Sequence, residues 1–255
     1  MGIEKSASFV VTGGGRGVGR AIAERLATEG AVVVLEADPD ALTWADGRHI
    51  IPVTGDAADP AVARRAATTA AGAGTLRGWV NNAAIFRDAH LHESPAEVAE
   101  LIRRNLDPAV AGSSAAVRHF LDAGTPGAVV NISSHQASRA VRGALPYATA
   151  KAAIEGLTRA LAVDYGPSGV RSNALALGSI TTERSEAHLA SLPEPGREHF
   201  LREIGLLQPL GRMGRPAEAA EVVAFLLSPA ASFLNGAIIP LDGGRSAQGR
   251  DPEEK

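Results

Sequence analysis

The chain has no cysteine. Disulfides, thiolate nucleophiles and cysteine-ligated metals are excluded from the outset. Lysine is almost absent too: the 25 basic residues are 22 arginines and three lysines, Lys5, Lys151 and Lys255. Positive charge is not in excess, since the net charge is −3. No basic surface is on offer to nucleic acid or to an anionic membrane, and neither is expected as a partner. No apolar run is long enough to span a bilayer, and the opening MGIEKSASFVVTGG has no basic segment leading into a long apolar one. The expectation is a cytoplasmic protein with no signal peptide and no membrane helix. His90 and His92 form an HxH pair without a matching set of carboxylates, so no metal site is expected.

A chain of 255 residues that is 45% hydrophobic can bury a full core as one domain. Short apolar, β-branched runs recur at residues 9–12, 31–35, 50–53, 78–81, 128–132, 170–174 and 237–241. Each reads as a strand buried on both faces. Between them lie helical patterns: Val18, Ile22 and Leu26 at four-residue spacing, an Ala-rich segment at 61–71, and longer stretches at 97–120, 147–165 and 216–227. The alternation predicts an α/β fold, a Rossmann-like doubly wound parallel sheet of about seven strands with helices on both faces. One dinucleotide-binding and catalytic domain is expected over residues 1–245, with a polar, disordered tail at 246–255. Residues 181–207 are the least regular and read as a lid or binding loop.

The first strand runs into VVTGGGRGVGRAIA. Glycines between a strand and an amphipathic helix allow a tight turn, and the helix N-terminus offers free N–H groups to a pyrophosphate. The interior lysine lies in PYATAK, four residues after Tyr147. On a helix these two side chains share a face. A phenol ionises near pH 10, and a nearby cation favours its phenolate. A compact ammonium does this where a planar, bulkier guanidinium is a poor substitute.

The glycine spacing TGxxxGxG, followed by NNAA at 81–84, VVNISS ending at Ser134, YxxxK at 147–151, SNALALG and GAIIPLDGG, resembles the short-chain dehydrogenase/reductase family. The resemblance runs from residue 6 to about residue 245. It implies Tyr147 as general acid/base, Lys151 as its partner and holder of the nicotinamide ribose, Ser134 on the substrate oxygen, and Asn105 as anchor for a water between Lys151 and solvent. Blander roles stand beside these: Tyr147 as packing, Ser134 as a helix-entry cap, Asn105 as a surface polar residue. Pro108 suggests a local kink that helps present the Asn105 carbonyl.

The resemblance also implies the cofactor contacts. These are Gly13, Gly15, Arg16, Gly17, Val18 and Gly19 in the first loop, Asp38 after the second strand, and Asp56 and Ala57 after the third. Asn82, Ala83 and Ala84 follow the fourth, and Gly178, Ile180 and Thr182 the sixth, with Tyr147 and Lys151 at the nicotinamide end. Asp38 lies near the spacing of a carboxylate that takes the ribose 2′-OH of NAD, and Glu36 is a second candidate expected on the opposite face. Arg16 favours a 2′-phosphate, so NADP stays open, with NAD preferred. Ala84 stands where the family has Gly. Leu177 stands where it has Pro, and is expected to loosen the turn before Gly178.

The substrate is expected to be a small secondary alcohol or ketone held by His135, Gln136, Leu145, Ile85, Arg87 and the 181–207 segment, where Arg184, Arg197 and Arg202 lie. Epimerisation or dehydration through transient oxidation, and a catalytically silent dinucleotide-binding regulator, are the alternatives. The resemblance further implies a homotetramer paired through the helices at 95–122 and 147–165.

Overall fold

In the computed structural model, residues 6–249 are described. Seven strands form one parallel sheet: β1 Ala7–Thr12, β2 Gly30–Glu36, β3 Ile50–Thr54, β4 Thr75–Asn81, β5 Gly127–Ser134, β6 Val170–Leu177 and β7 Ile238–Leu241, in the order β3-β2-β1-β4-β5-β6-β7. The helices are α1 Gly17–Leu26, α2 Pro60–Ala73, α3 Pro95–Ala123, α4 Leu145–Tyr165, α5 Glu183–Ser191, α6 Glu194–Leu207 and α7 Pro216–Leu227. This is a single-domain, Rossmann-like doubly wound fold.

Strand alternation builds two cores. Phe9, Val11, Val32, Val34 and Val130 face one side, where α1 and α7 supply Ile22, Leu26, Val223 and Leu226. Val10, Val33, Leu35 and Val129 face the other, against Ala-rich α2 and the apolar sides of α3 and α4. Both faces are covered, which is why the strands read as continuous apolar runs. The small side chains of α2 let it lie close: Ala63, Ala66 and Ala70 are fully buried. Asp59 caps that helix by accepting the Ala61 N–H at 2.7 Å, with Pro60 in its first turn.

The sheet order reverses between β1 and β4. After β3 the chain returns to the far side of β1, leaving a crevice beyond the carboxyl ends of the two strands, where open α/β sheets bind ligands. Polar side chains tie those ends together. Thr12 Oγ1 accepts the N–H groups of Asn82 and Ala83 at 3.0 and 3.2 Å. The Asn82 amide donates to the Thr12 and Gly13 carbonyls at 3.1 and 2.8 Å. Behind them Asn81 donates to Asn131 at 2.8 Å, and Asn131 to Thr158 at 2.9 Å, a buried network joining β4, β5 and α4.

Two expectations change. Residues 181–207 are two helices, α5 and α6, rather than irregular chain. The prolines that break the pattern fall at the junction and in the first turn of α6, where proline is tolerated. The tail expected to be disordered lies in part outside the described residues; within them the Ser246 N–H donates to the Asp242 carboxylate at 2.8 Å.

Candidate active site

A cleft of about 1150 Å³ opens along the carboxyl ends of the strands. Its floor at one end is the glycine loop between β1 and α1. Gly13 has φ of +63°, and a Cβ there would stand 2.7 Å from the Ala83 Cα. A Cβ on Gly19 would collide with the Gly13 carbonyl oxygen. The two glycines let the loop lie flat against the end of β4. Arg16, Gly17 and Val18 line the cleft with them. Gly15 does not; it packs on Ala41, and its N–H donates to Glu36 Oε2 at 3.1 Å.

Glu36 therefore lies beside the glycine loop and lines the cleft, contrary to the expectation that it faces away. Strand alternation explains it: Leu35 packs with α2 and α3, so Glu36 turns to the α1 side with Val34. Asp38 accepts the Asp40 N–H at 3.1 Å and pairs with Arg16 at 2.5 Å, both side chains being substantially exposed. Asp56, Ala57, Asn82, Ala83 and Ala84 continue the wall. No described non-glycine residue has positive φ, so Ala84 keeps an ordinary backbone and its methyl is exposed in the cleft.

At the other end lie Ser134, Tyr147 and Lys151, all buried. Ser134 ends β5 and accepts the Gln136 N–H at 3.2 Å, so it does cap the short 3-10 turn after the strand. Its hydroxyl also faces the Tyr147 phenol, close enough to favour the phenolate. Pro146, in the first turn of α4, fixes where the helix begins, two residues before Tyr147. Lys151 follows on the same face, donates to the Ile132 carbonyl at 2.7 Å, and holds its Nζ 5.4 Å from the centre of the Tyr147 ring.

Burial pushes the Tyr147 phenol up to about 12, with the Ser134 hydroxyl and the Arg184 charge opposing it. Burial pushes the Lys151 ammonium down to about 8. The expectation of a phenol held below its ordinary value is thus corrected: loss of water disfavours the charged form of each partner and dominates here.

Asn105 is buried behind this end and does not line the cleft. Its Oδ1 accepts the Ile85 N–H at 2.9 Å and its amide donates to the Leu101 carbonyl at 3.0 Å. Helix α3 continues through Pro108. The N–H that proline lacks would have reached the Arg104 carbonyl, so the proline frees Arg104 rather than Asn105. Leu177 does not loosen its turn. It pairs with Ser134 on one side and Leu241 on the other, extending β6 by ordinary sheet pairing up to Gly178. Gly178, Ile180 and Thr182 line the cleft beyond it, and Thr182 caps α5 through reciprocal bonds with Ser185.

His135, Gln136 and Ile85 line the substrate end as expected, together with Phe86, Arg184, His188, Phe200 and Met213; Leu145, Arg87, Arg197 and Arg202 do not. Burial and the nearby Arg245 push the His135 imidazole down to about 4, so it is neutral at ordinary pH. Phe86 and Glu183 were missed in the sequence reading. Each lies within two residues of a predicted contact, Ala84 and Thr182, which is the signal that points to them.

A family model described as Enoyl-(Acyl carrier protein) reductase matches residues 13–246. Cis-4-hydroxycyclohexanecarboxylate dehydrogenase of Sinomonas cyclohexanicum is 39% identical, covering 93% of this chain and 96% of its own. Levodione reductase of Leifsonia aquatica is 35% identical over 93% of both chains. The chain belongs to the short-chain dehydrogenase/reductase family. A solved neighbour of this short-chain dehydrogenase/reductase, a candidate 2-deoxy-D-gluconate 3-dehydrogenase from Agrobacterium tumefaciens with bound NADP, has a TM-score of 0.80 and 33% identity, covering 95% of this chain and 97% of its own. This short-chain dehydrogenase/reductase is accordingly an oxidoreductase. Among the described residues no helix is long and apolar enough to cross a membrane.

Proposed function

We propose that the chain interconverts a small secondary alcohol and its ketone with a nicotinamide dinucleotide, NAD in preference to NADP. The observation that carries this reading is the burial of Tyr147 and Lys151 together, with Ser134 on the phenol, at the inner end of a cleft whose outer end is a glycine loop.

The residues present fit a dinucleotide. The cleft exceeds the ~300–1,000 Å³ of ordinary small-molecule pockets. Its glycine loop has no room for side chains at Gly13 and Gly19, which brings backbone N–H groups and the α1 N-terminus to the surface. Gly13, Gly17, Val18 and Thr182 would hold the phosphates, with Gly15 supporting the loop from behind. Asp56, Ala57 and Asn82 through Ala84 would hold the adenine side, and Gly178, Ile180 and Lys151 the nicotinamide side. Glu36 and Asp38 put two carboxylates at the adenosine ribose, and Arg16 is already neutralised by Asp38. That arrangement suits two free hydroxyls and repels a 2′-phosphate. When bound, the dinucleotide supplies the hydride acceptor or donor.

The chain's own residues handle the proton. In reduction, Tyr147 gives its phenolic proton to the carbonyl oxygen as that oxygen gains charge; in oxidation its phenolate takes the proton from the alcohol. Ser134 donates to the same oxygen and fixes the reacting carbon over the cleft. Lys151, the one ammonium in the pocket, stabilises the phenolate, and its bond to Ile132 keeps it in place. Asn105 holds the segment that carries Ile85 and Phe86. His135 is neutral and adds no charge beside Tyr147, Lys151 and Arg184.

The two relatives act, by name, on levodione and on a hydroxycyclohexanecarboxylate, which supports a compact ketone or alcohol as substrate. A panel of such ketones and alcohols, read by nicotinamide absorbance with both dinucleotides, tests the reaction; no net change in the dinucleotide with any of them rejects it. A homotetramer is part of the same reading. Val110 and Leu121 on α3 and Val163 on α4 are exposed apolar residues on the helices expected to pair. Light scattering at the monomer mass rejects it.

A further inference from the structure

We propose that Arg184 and Phe86 are positioning residues that couple the lid helix α5 to Tyr147, a step that rests on the reading of Tyr147 as the acid/base. Four side chains form a column through the substrate end of the cleft. The Arg184 guanidinium lies 4.4 Å from the Phe86 ring centre. The Phe86 ring stacks on the Tyr147 ring at 4.6 Å with 30° between their planes. Lys151 stands beyond Tyr147 and is anchored on the Ile132 carbonyl. The column thus runs from the second residue of α5 to the edge of β5.

The two members farthest from Lys151 are held from behind. Asn105 pins the segment carrying Phe86 by accepting the Ile85 N–H. The Thr182–Ser185 capping pair fixes the turn that carries Arg184. Among the described residues Arg184 has no carboxylate partner at ion-pair distance, although Glu183 beside it has found one in the Gly17 N–H. Phe86 stays 54% exposed with Arg184 at its ring, a large aromatic side chain next to the buried phenol. The cation lies against part of the ring and gains the attraction of the ring quadrupole. Offset stacking then holds the Tyr147 ring in one orientation.

Two consequences follow. The column shields Tyr147 from water when α5 is closed, and it places a positive charge on the lid side of the phenol. The charged and titratable groups lining the cleft around Tyr147 are few: Lys151 from α4, neutral His135 from the turn after β5, Arg184, Glu183 and His188 from α5, and Arg104 from α3, which is engaged with Glu100. Arg184 is the only member of this set whose charge reaches Tyr147 from the lid. Lid closure and readiness of the phenol to ionise become one event.

The chain has only two tyrosines, Tyr147 and Tyr165, which makes a substrate-free test possible. In a Tyr165→Phe background the ring resonances of Tyr147 report the shielding by Phe86. Arg184→Gln is expected to move them toward their positions in Phe86→Leu; resonances unchanged from the parent overturn the proposal. In alcohol oxidation, run on the best alcohol of the panel above, Arg184→Gln is expected to move the rising limb of kcat/KM up by about half a pH unit, and Arg184→Lys to restore most of it. The double variant should show no further shift beyond Phe86→Leu alone. A KM rise with an unmoved pH profile would make Arg184 a substrate-binding group only, and additive effects would uncouple it from Phe86; either result overturns the proposal. Tyr147→Phe is run alongside. If that variant still turns over, the acid/base reading fails; if it is dead while Arg184→Gln is unchanged, only this inference fails.

Discussion

Glu183 accepts a hydrogen bond from the Gly17 N–H at 3.2 Å. The two residues are 166 positions apart in the chain, and the bond places a carboxylate of α5 on a backbone donor that the proposed function assigns to a dinucleotide phosphate. A carboxylate at a helix N-terminus is an ordinary stabilising arrangement. On the proposed reading it would compete with the dinucleotide for the same N–H and repel its charge.

Glu183→Gln should therefore tighten dinucleotide binding, on the order of fivefold, which corresponds to about 1 kcal/mol of relieved competition. Calorimetric titration with NAD measures it. Weaker binding in the variant would mean that Glu183 supports the site instead of contesting it.

Tyr147→Phe keeps the ring stacked under Phe86 and removes only the hydroxyl. Turnover should fall by about 10²–10⁴-fold or more with the dinucleotide Kd nearly unchanged. Near-normal kcat would remove Tyr147 from the chemistry.

Lys151 links function to stability with a definite sign. Its folded value is lowered from 10.5 to about 8, so between those values the unfolded chain holds a proton that the folded chain has released. Stability from this group is present above 10.5 and lost as pH falls through about 8. At pH 7 the full cost of burying the ammonium, about 3 kcal/mol, is in force. Lys151→Met should raise the Tm at pH 7 while abolishing turnover, and the gain should shrink as pH approaches 10. A lower Tm in that variant would show that the bond to the Ile132 carbonyl outweighs the burial cost.

On the proposed reading, Glu36 and Asp38 together set the dinucleotide preference. Replacing both with alanine frees Arg16 and removes two negative charges from the ribose site. The ratio of kcat/KM for NADP over NAD should rise by about tenfold or more, since each charge facing a phosphate contributes about 1 kcal/mol or more near a protein surface. An unchanged ratio would place the 2′ position elsewhere.

Much of the fold was legible because parallel strands buried on both faces are short, apolar and separated by recognisable helices. All seven strand segments lie in the sheet, with boundaries shifted by only a few residues. The segment at 181–207 was not legible. Its helices α5 and α6 are amphiphilic and mostly exposed, with Ile204 the one buried side chain, so their apolar periodicity is weak. Glu36 was misjudged although the information was present: counting alternation from Val34, a core residue on the α1 side, puts Glu36 on that same side.

The sequence by itself determined the order of the strands along the chain, the glycine spacing of the first loop, and the placing of Tyr147 and Lys151 on one helix face, since these depend on local geometry. Tertiary structure decided the rest. Burial, and not the neighbouring cation, sets the direction in which the Tyr147 phenol moves, because water is excluded only once β5, α4 and the lid meet. The contacts of Glu183 with Gly17 and of Arg184 with Phe86 join segments far apart in the chain. No periodicity encodes them; they exist because the sheet brings the loops after β1, β4 and β6 to one edge.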